Sequence, residues 1–163
     1  MALDRLDLKL IEALAQDGRA SHVELGERIG LSPSAVARRQ RHLEDIGFIE
    51  GYRATVGLKA LGLGNTVIVR IALDSQAEEA LTTFEAAIAK CPSVLKCYLM
   101  AAADDYIVIV SVRDIADYER IHTVELSRLP HVARLQSSFA LRSVVDRPMP
   151  TDALRRGKTR ATD

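Results

Sequence analysis

The chain lacks an excess of charge of either sign: 22 lysines and arginines stand against 22 aspartates and glutamates. That balance excludes a uniformly basic nucleic-acid coat but leaves room for a local basic patch. Long apolar runs are missing too. Stretches such as Leu99–Ala103 and Ile107–Val110 fall far short of the ~20 residues of a membrane-spanning helix, so no membrane partner is expected. The first residues set Asp4 and Asp7 among leucines, without the apolar core of a secretory signal. Cysteine is scarce. Cys91 and Cys97 stand in no metal-ligand spacing and read as thiols of a cytoplasmic protein. No metal, no cofactor, no internal repeat and no low-complexity tract is expected.

Catalytic signatures are equally thin. There is no glycine-rich phosphate loop, no histidine pair at i,i+4 spacing and no G-x-S-x-G elbow. The nearest base to Cys97 is Lys96, which alternation puts on the opposite strand face, so an activated thiolate is not expected. His122 lies beside the apolar positions Ile115, Tyr118, Leu126 and Leu129 and reads as a packed or interface histidine. His131 follows Pro130 in a turn. Asp104-Asp105 precedes Tyr106 in a loop, either as an exposed acidic turn or as a seat for a cation or ammonium group.

What is present is patterning. With 163 residues, 48% hydrophobic and 27% charged, the chain is that of a soluble globular protein of one ordinary or two small domains. Residues 4–46 read as three helices. Leu3, Leu6, Leu10, Ala13 and Leu14 recur at helical spacing until Asp17-Gly18. Ser21 and Glu24 form a capping box before Leu25 and Ile29, and Gly30 ends that helix. Ser32-Pro33 supplies an N-cap and a first-turn proline for a third helix reaching Ile46, with Gly47 as its stop. This is a helix-turn-helix. Phe48–Val56 is expected to form a strand pair, or wing, followed by a Gly57/Gly62/Gly64 link.

From residue 66 the period shifts to alternation. The spacing predicts strand 66–73, helix 76–90, strand 94–101, strand 106–112, helix 115–129 and strand 132–141. A second capping box is expected at Ser75 and Glu78, with Leu81, Phe84 and Ile88 turned inward. The order βαββαβ is ferredoxin-like, so the fold class is α+β: a winged helix-turn-helix plus a ferredoxin-like domain. Its sheet has apolar residues on both faces but helices on one, which points to a second copy of the chain. The expected divisions are a helix-turn-helix DNA-binding domain over 1–50, a wing and linker over 51–64, a βαββαβ oligomerisation domain over 65–146, and a basic tail over 147–163.

The third helix carries the most chemistry. At about 100° per residue, Ser34, Arg38, Arg41 and His42 share one arc opposite Val36 and Leu43. Two guanidinium groups with small residues near the helix start suit entry into a DNA major groove; a solvated charged face is the alternative. Arg39 sits at the core boundary, where an acidic neighbour could claim it.

These motifs together resemble one family. Leu6-Asp7, Ile11–Leu14, Asp17-Gly18-Arg19, Glu24–Ile29, Gly30–Ser34, Val36, Arg39, Leu43-Glu44, Gly47-Phe48-Ile49 and Gly51-Tyr52 are similar to the helix-turn-helix of Lrp/AsnC (leucine-responsive/asparagine-responsive) prokaryotic regulators. Cys97–Met100, Asp105-Tyr106, Tyr118-Glu119 and Leu129–Val132 follow that family's sensing domain, so the resemblance spans about residues 4–146. It implies a DNA-binding transcriptional regulator whose domain over 65–146 is the effector-sensing one, a homodimer assembling to an octamer, and an amino-acid effector held between dimers. The implied DNA-binding residues are Ser21, Ser32, Pro33, Ser34, Ala35, Ala37, Arg38, Arg39, Arg41 and His42. The implied effector residues are Met100, Ala101, Ala102, Ala103, Asp104 and Asp105, with Ser138 from elsewhere in the assembly. Three positions depart from the family: Gln40 replaces an aliphatic core residue, His42 a base, and Ala102 a pocket glycine. A sirohaem-decarboxylase-like enzyme subunit shares the architecture, but residues 94–112 hold Lys96 as their one base and no histidine. The reading is therefore a regulator rather than an enzyme.

Overall fold

Each N-terminal helix starts where a side chain can close its open amides. In the computed structural model, which describes residues 3–150 and 152, these are α1 (Arg5–Gln16), α2 (His22–Ile29) and α3 (Pro33–Asp45). Asp4 accepts from the Leu6 and Asp7 amides at 2.8 Å, while the Asp7 carboxylate takes the Asp4 amide at 3.0 Å. The expected box on α2 is formed: Ser21 N donates to Glu24 at 2.7 Å and Glu24 N to Ser21 Oγ at 3.2 Å. Ser32 Oγ accepts from Ala35 N at 3.3 Å, with Pro33 at the first helical position. Such a cap is worth roughly 1 kcal/mol.

The three helices enclose Leu10, Ala13, Leu14, Leu25, Ile29, Val36 and Leu43. Gly26 makes the tight turn possible, because a Cβ there would stand 2.5 Å from the Leu31 carbonyl oxygen. At the end of α3, Gly47 takes φ +76°. The Phe48 amide then reaches the Leu43 carbonyl at 2.9 Å and the Gly47 amide the Glu44 carbonyl at 3.0 Å, a Schellman closure.

The wing expected over 48–56 is not formed; the segment bends at Phe48-Ile49 and pairs with no strand. The amides of Phe48 and Ile49 both bond the Leu43 carbonyl, so they cannot enter a ladder. Phe48, Tyr52 and Val56 are left exposed.

The described residues fold as two compact units, one built on 3–55 with 145–150 and 152, the other on 56–144. The second unit contains β1 (Asn65–Leu73), α4 (Glu78–Ile88), β2 (Val94–Leu99), β3 (Tyr106–Val112), α5 (Ile115–Val124) and β4 (Val132–Phe139). Its sheet order is β2-β3-β1-β4 with every pair antiparallel, the ferredoxin-like topology. Alternation places Val67, Val69, Ile71 and Leu73 of β1 beside Val108, Val110 and Val112 of β3. Phe84, Ile88, Tyr118 and Ile121 of the helices cover them. Phe84 stacks on Tyr106 with ring centroids 4.5 Å apart. Register puts Ile68, Arg70, Lys96, Tyr98, Ile107, Ile109, Gln136 and Ser138 on the other face.

Helix α4 is shorter than expected at both ends and α5 at its C-terminal end. The Ser75/Glu78 box does not form: Ser75 Oγ accepts from Ala77 N at 3.2 Å, which makes a local turn instead. Helix α4 therefore starts at Glu78, with Ala77 as an N-cap that makes no side-chain bond. Helix α5 ends at Val124 and passes into a 3-10 turn over Leu126–Arg128. Pro130 disfavours the helical region for Leu129, so no helix reaches residue 129.

Asp117 ties α5 to the end of β3. Its buried carboxylate accepts from Arg113 N at 3.1 Å, Arg113 Nη2 at 3.3 Å and Arg120 Nη2 at 3.1 Å. The Arg113 amide above all, then the two guanidinium groups, hold its acidity at about 2. A depressed folded-state value means the stabilisation is complete above the ordinary carboxylate range and is lost as pH falls toward 2. Acid titration of stability, read by circular dichroism, should show a loss between about pH 4 and pH 2 that is missing in Asp117→Asn. Identical acid profiles would refute this.

Candidate nucleic-acid interface and effector loop

Burial of Val36 and Leu43, both with no exposed surface, fixes which side of α3 faces out. Ser34, Arg38 and Arg41 are exposed and His42 half-buried, with Ala35 and Ala37 at the margins. Ser34, Ala37, Arg38, Arg41, His42 and Asp45 line one shallow groove. Among the described residues, neither Arg38 nor Arg41 makes a hydrogen bond or salt bridge, although behind the Tyr52 and Gln40 hydrogen bonds the Arg41 charge helps hold the Glu44 carboxyl below its ordinary value. Both guanidinium groups are available to an outside acceptor. Ser21 and Ser32 are exposed, but their hydroxyls serve the helix caps. Pro33 is exposed beside them, and Ser34 Oγ lies 3.2 Å from Ser32 Oγ.

Arg39, implied by the resemblance as a DNA contact but placed by its spacing at the core boundary, pairs with acidic neighbours: its Nη1 lies 2.6 Å from Asp7 Oδ1 and 2.7 Å from Asp4 Oδ2. The bond to Asp7 first, then that to Asp4, raises the guanidinium's pKa. Through Nη1 it clamps α3 to α1.

The effector loop holds a correction. Asp105 is not part of an exposed acidic turn: it is 6% exposed. Its Oδ2 accepts from Leu73 N at 2.7 Å and its Oδ1 from Gln76 Nε2 at 2.8 Å. Asp105 N donates to the Ile71 carbonyl and Met100 N to the Asp105 carbonyl. The carboxylate is a buried strut of the fold, with each oxygen already accepting one bond. Asp104 accepts from Arg134 Nη2 at 2.8 Å. Met100, Ala101, Ala102 and Ala103 are exposed. His131 is the single non-glycine with positive φ among the described residues, so alanine at 102 carries no left-handed strain. Ser138 lies toward the far end of β4, paired with Ile68 of β1, whereas Arg134 near the start of β4 is the residue of that strand that bonds Asp104.

Cys91 and Cys97 are free and half-buried. Burial, then Glu85, pushes the Cys97 thiol up to about 11, which leaves it un-ionised and unreactive at neutral pH. Among the described residues no cluster of His, Cys, Asp or Glu could hold a metal. No described helix is long and apolar enough to cross a membrane.

Residues 3–44 match the family model of the AsnC-type helix-turn-helix domain, and residues 66–150 that of the Lrp/AsnC ligand binding domain. This chain belongs to the Lrp/AsnC family. It is a helix-turn-helix transcriptional regulator. The Bkd operon transcriptional regulator of Pseudomonas aeruginosa is 40% identical over 91% of this chain and 97% of its own length. The proline dehydrogenase transcriptional activator of Rhodobacter capsulatus is 37% identical over the same shares, 91% and 97%. A transcriptional regulator of Neisseria meningitidis, solved as an L-methionine complex, superposes with TM-score 0.86 at 31% identity, covering 91% of this chain and 97% of that one. These Lrp/AsnC relatives are named as regulators, not enzymes, and the sirohaem-decarboxylase alternative finds no support among them.

Proposed function

We propose that this Lrp/AsnC regulator reads double-stranded DNA with the outward face of α3 and adjusts that binding to a small amino acid held at the 100–105 loop. The observation that carries the first part is the pair of unengaged guanidinium groups, Arg38 and Arg41, opposite a fully buried Val36–Leu43 line. Arginine at a recognition helix matches phosphate oxygens or the O6/N7 edge of guanine. Ser34, Ala35, Ala37 and His42 complete the surface, with Ser21, Ser32 and Pro33 near the helix starts. The compartment that suits such a protein is the cytoplasm.

The effector part rests on the loop and on the L-methionine complex of the Neisseria relative. With Asp105 engaged, ligand recognition falls to Met100, the backbone of Ala101–Ala103 and Asp104 beside Arg134. Ser138 would come from another copy of the chain. The open sheet face, where Ile68, Ile107 and Ile109 neighbour one another across β1 and β3, favours a homodimer, with dimers then assembling to an octamer. Ligand and assembly are thereby linked, since whatever binds between copies shifts the equilibrium among assemblies.

The test is calorimetry with each of the twenty amino acids, L-methionine first, and light scattering on the same samples. A slender side chain should bind and change the assembly. Binding of tryptophan alone would refute the slender site, and a monomer at micromolar concentration would refute the sheet-face assembly.

A further inference from the structure

One phenol fastens three parts of the N-terminal unit together. The Tyr52 hydroxyl donates to Glu44 Oε1 at 2.7 Å and accepts from Gln40 Nε2 at 2.7 Å. Gln40 Nε2 also reaches Glu44 Oε1 at 3.2 Å. On its other side the ring lies against the α1–α2 turn, since a Cβ at Gly18 would stand 3.5 Å from Tyr52 Cδ1. Burial, then the bond to Glu44, pushes the phenol up to about 12, and that bond holds the Glu44 carboxyl below its ordinary value. Phenol donor and carboxylate acceptor therefore persist at neutral pH. The buried Gln40 Oε1 has no partner among the described residues, a cost that the two bonds from Nε2 offset.

Helix geometry gives this cluster its meaning. At about 100° per residue, Arg39 falls on one flank of the buried Val36–Leu43 line, and Gln40 and Glu44 on the other. Arg39 is tied to Asp4 and Asp7 on its flank. Tyr52 ties the opposite flank. Between them the two junctions resist rotation of α3 about its own axis. A recognition geometry tolerates only about 0.5 Å and 10–20° of misplacement, and a rotating helix would carry Arg38 and Arg41 past that limit.

We propose that Gln40, Glu44 and Tyr52 are positioning residues for DNA recognition, fixing the rotation of α3 and hence the aim of Arg38 and Arg41. This rests on the DNA-reading proposed for α3. Positioning predicts a loss confined to sequence-specific binding, because non-specific phosphate attraction depends on charge and hardly on aim.

The experiment compares a duplex that the full-length wild-type chain enriches from a random pool with an unrelated duplex, at two salt concentrations. Tyr52→Phe keeps the ring against Gly18 and removes the hydroxyl. It should lower the ratio of specific to non-specific affinity about tenfold and leave non-specific affinity and its salt slope unchanged. Glu44→Gln, which retains an acceptor oxygen, should recover most of the ratio. Gln40→Leu removes the orphaned amide oxygen, so it should melt no lower than wild type yet still lose specificity; this separates positioning from stability should Tyr52→Phe fold poorly. Wild-type ratios in Tyr52→Phe and Gln40→Leu, or equal losses on both duplexes, would overturn the proposal alone. A wild-type chain that enriches no sequence would overturn the DNA-reading, and the proposal with it.

Discussion

Changing Arg38 and Arg41 together to alanine is expected to abolish sequence-specific DNA binding. Both side chains are exposed on α3, and neither is hydrogen-bonded or closely ion-paired among the described residues. Each arginine that reads a base edge is worth ~1–3 kcal/mol, so removing two weakens the specific complex by ~2–6 kcal/mol. A guanidinium that touches phosphate has a different signature: binding falls on every duplex, and the salt slope shrinks by about one for each phosphate no longer neutralised. Fluorescence anisotropy on an enriched and an unrelated duplex at two salt concentrations separates these outcomes. The double variant should fold as wild type does, because neither side chain supports the core. Wild-type affinity in that variant would remove α3 as the reading element.

Asp105→Ala is expected to lower stability by about 3 kcal/mol, a figure set by the removal of two bonds to a charged acceptor and a stranded amide. Leu73 N and Gln76 Nε2 both depend on this carboxylate, and alanine leaves the Leu73 amide buried without a partner. For a unit of this size the melting midpoint should fall by roughly 10–20 °C. Asp105→Asn keeps one acceptor oxygen and should lose less than half as much. Thermal denaturation followed by circular dichroism gives the answer. If Asp105→Ala melts like wild type and loses amino-acid binding, the carboxylate is a ligand group and not a strut.

Much of the fold was legible because its signals are short. Ser21 and Glu24 lie three residues apart, and their reciprocal bonds form as spacing predicts. Strand β3 spans Tyr106–Val112, the range that alternation indicates. The failures are also local, and instructive. Ser75 and Glu78 have capping-box spacing, but Ser75 Oγ bonds the nearer Ala77 amide and the box does not form. Phe48–Val56 has the composition of a strand, yet composition supplies no partner, and its first amides close α3 instead. Tyr52 and Glu44 stood in the family motif without an assigned role, and Gln40 was marked as a polar residue in an aliphatic position; nothing in the spacing joined the three.

By itself the sequence determined the helix-turn-helix, the order βαββαβ, the outward arc of α3 and the family. Caps, periods and turns involve residues within a few positions of one another, so their energetics are written in spacing. Only the tertiary structure decided which charges are free. Arg38 and Arg39 are adjacent and chemically identical, yet only Arg39 is ion-paired; Asp104 and Asp105 are adjacent too, and Asp104 is taken by Arg134 while Asp105 is buried. Folding engages Arg39 with Asp7 and Asp105 with Leu73, in both cases across 32 positions. A charge buried among partners is a strut, and one left in solvent is available for recognition. Such a pairing depends on where distant segments meet, which no local spacing encodes.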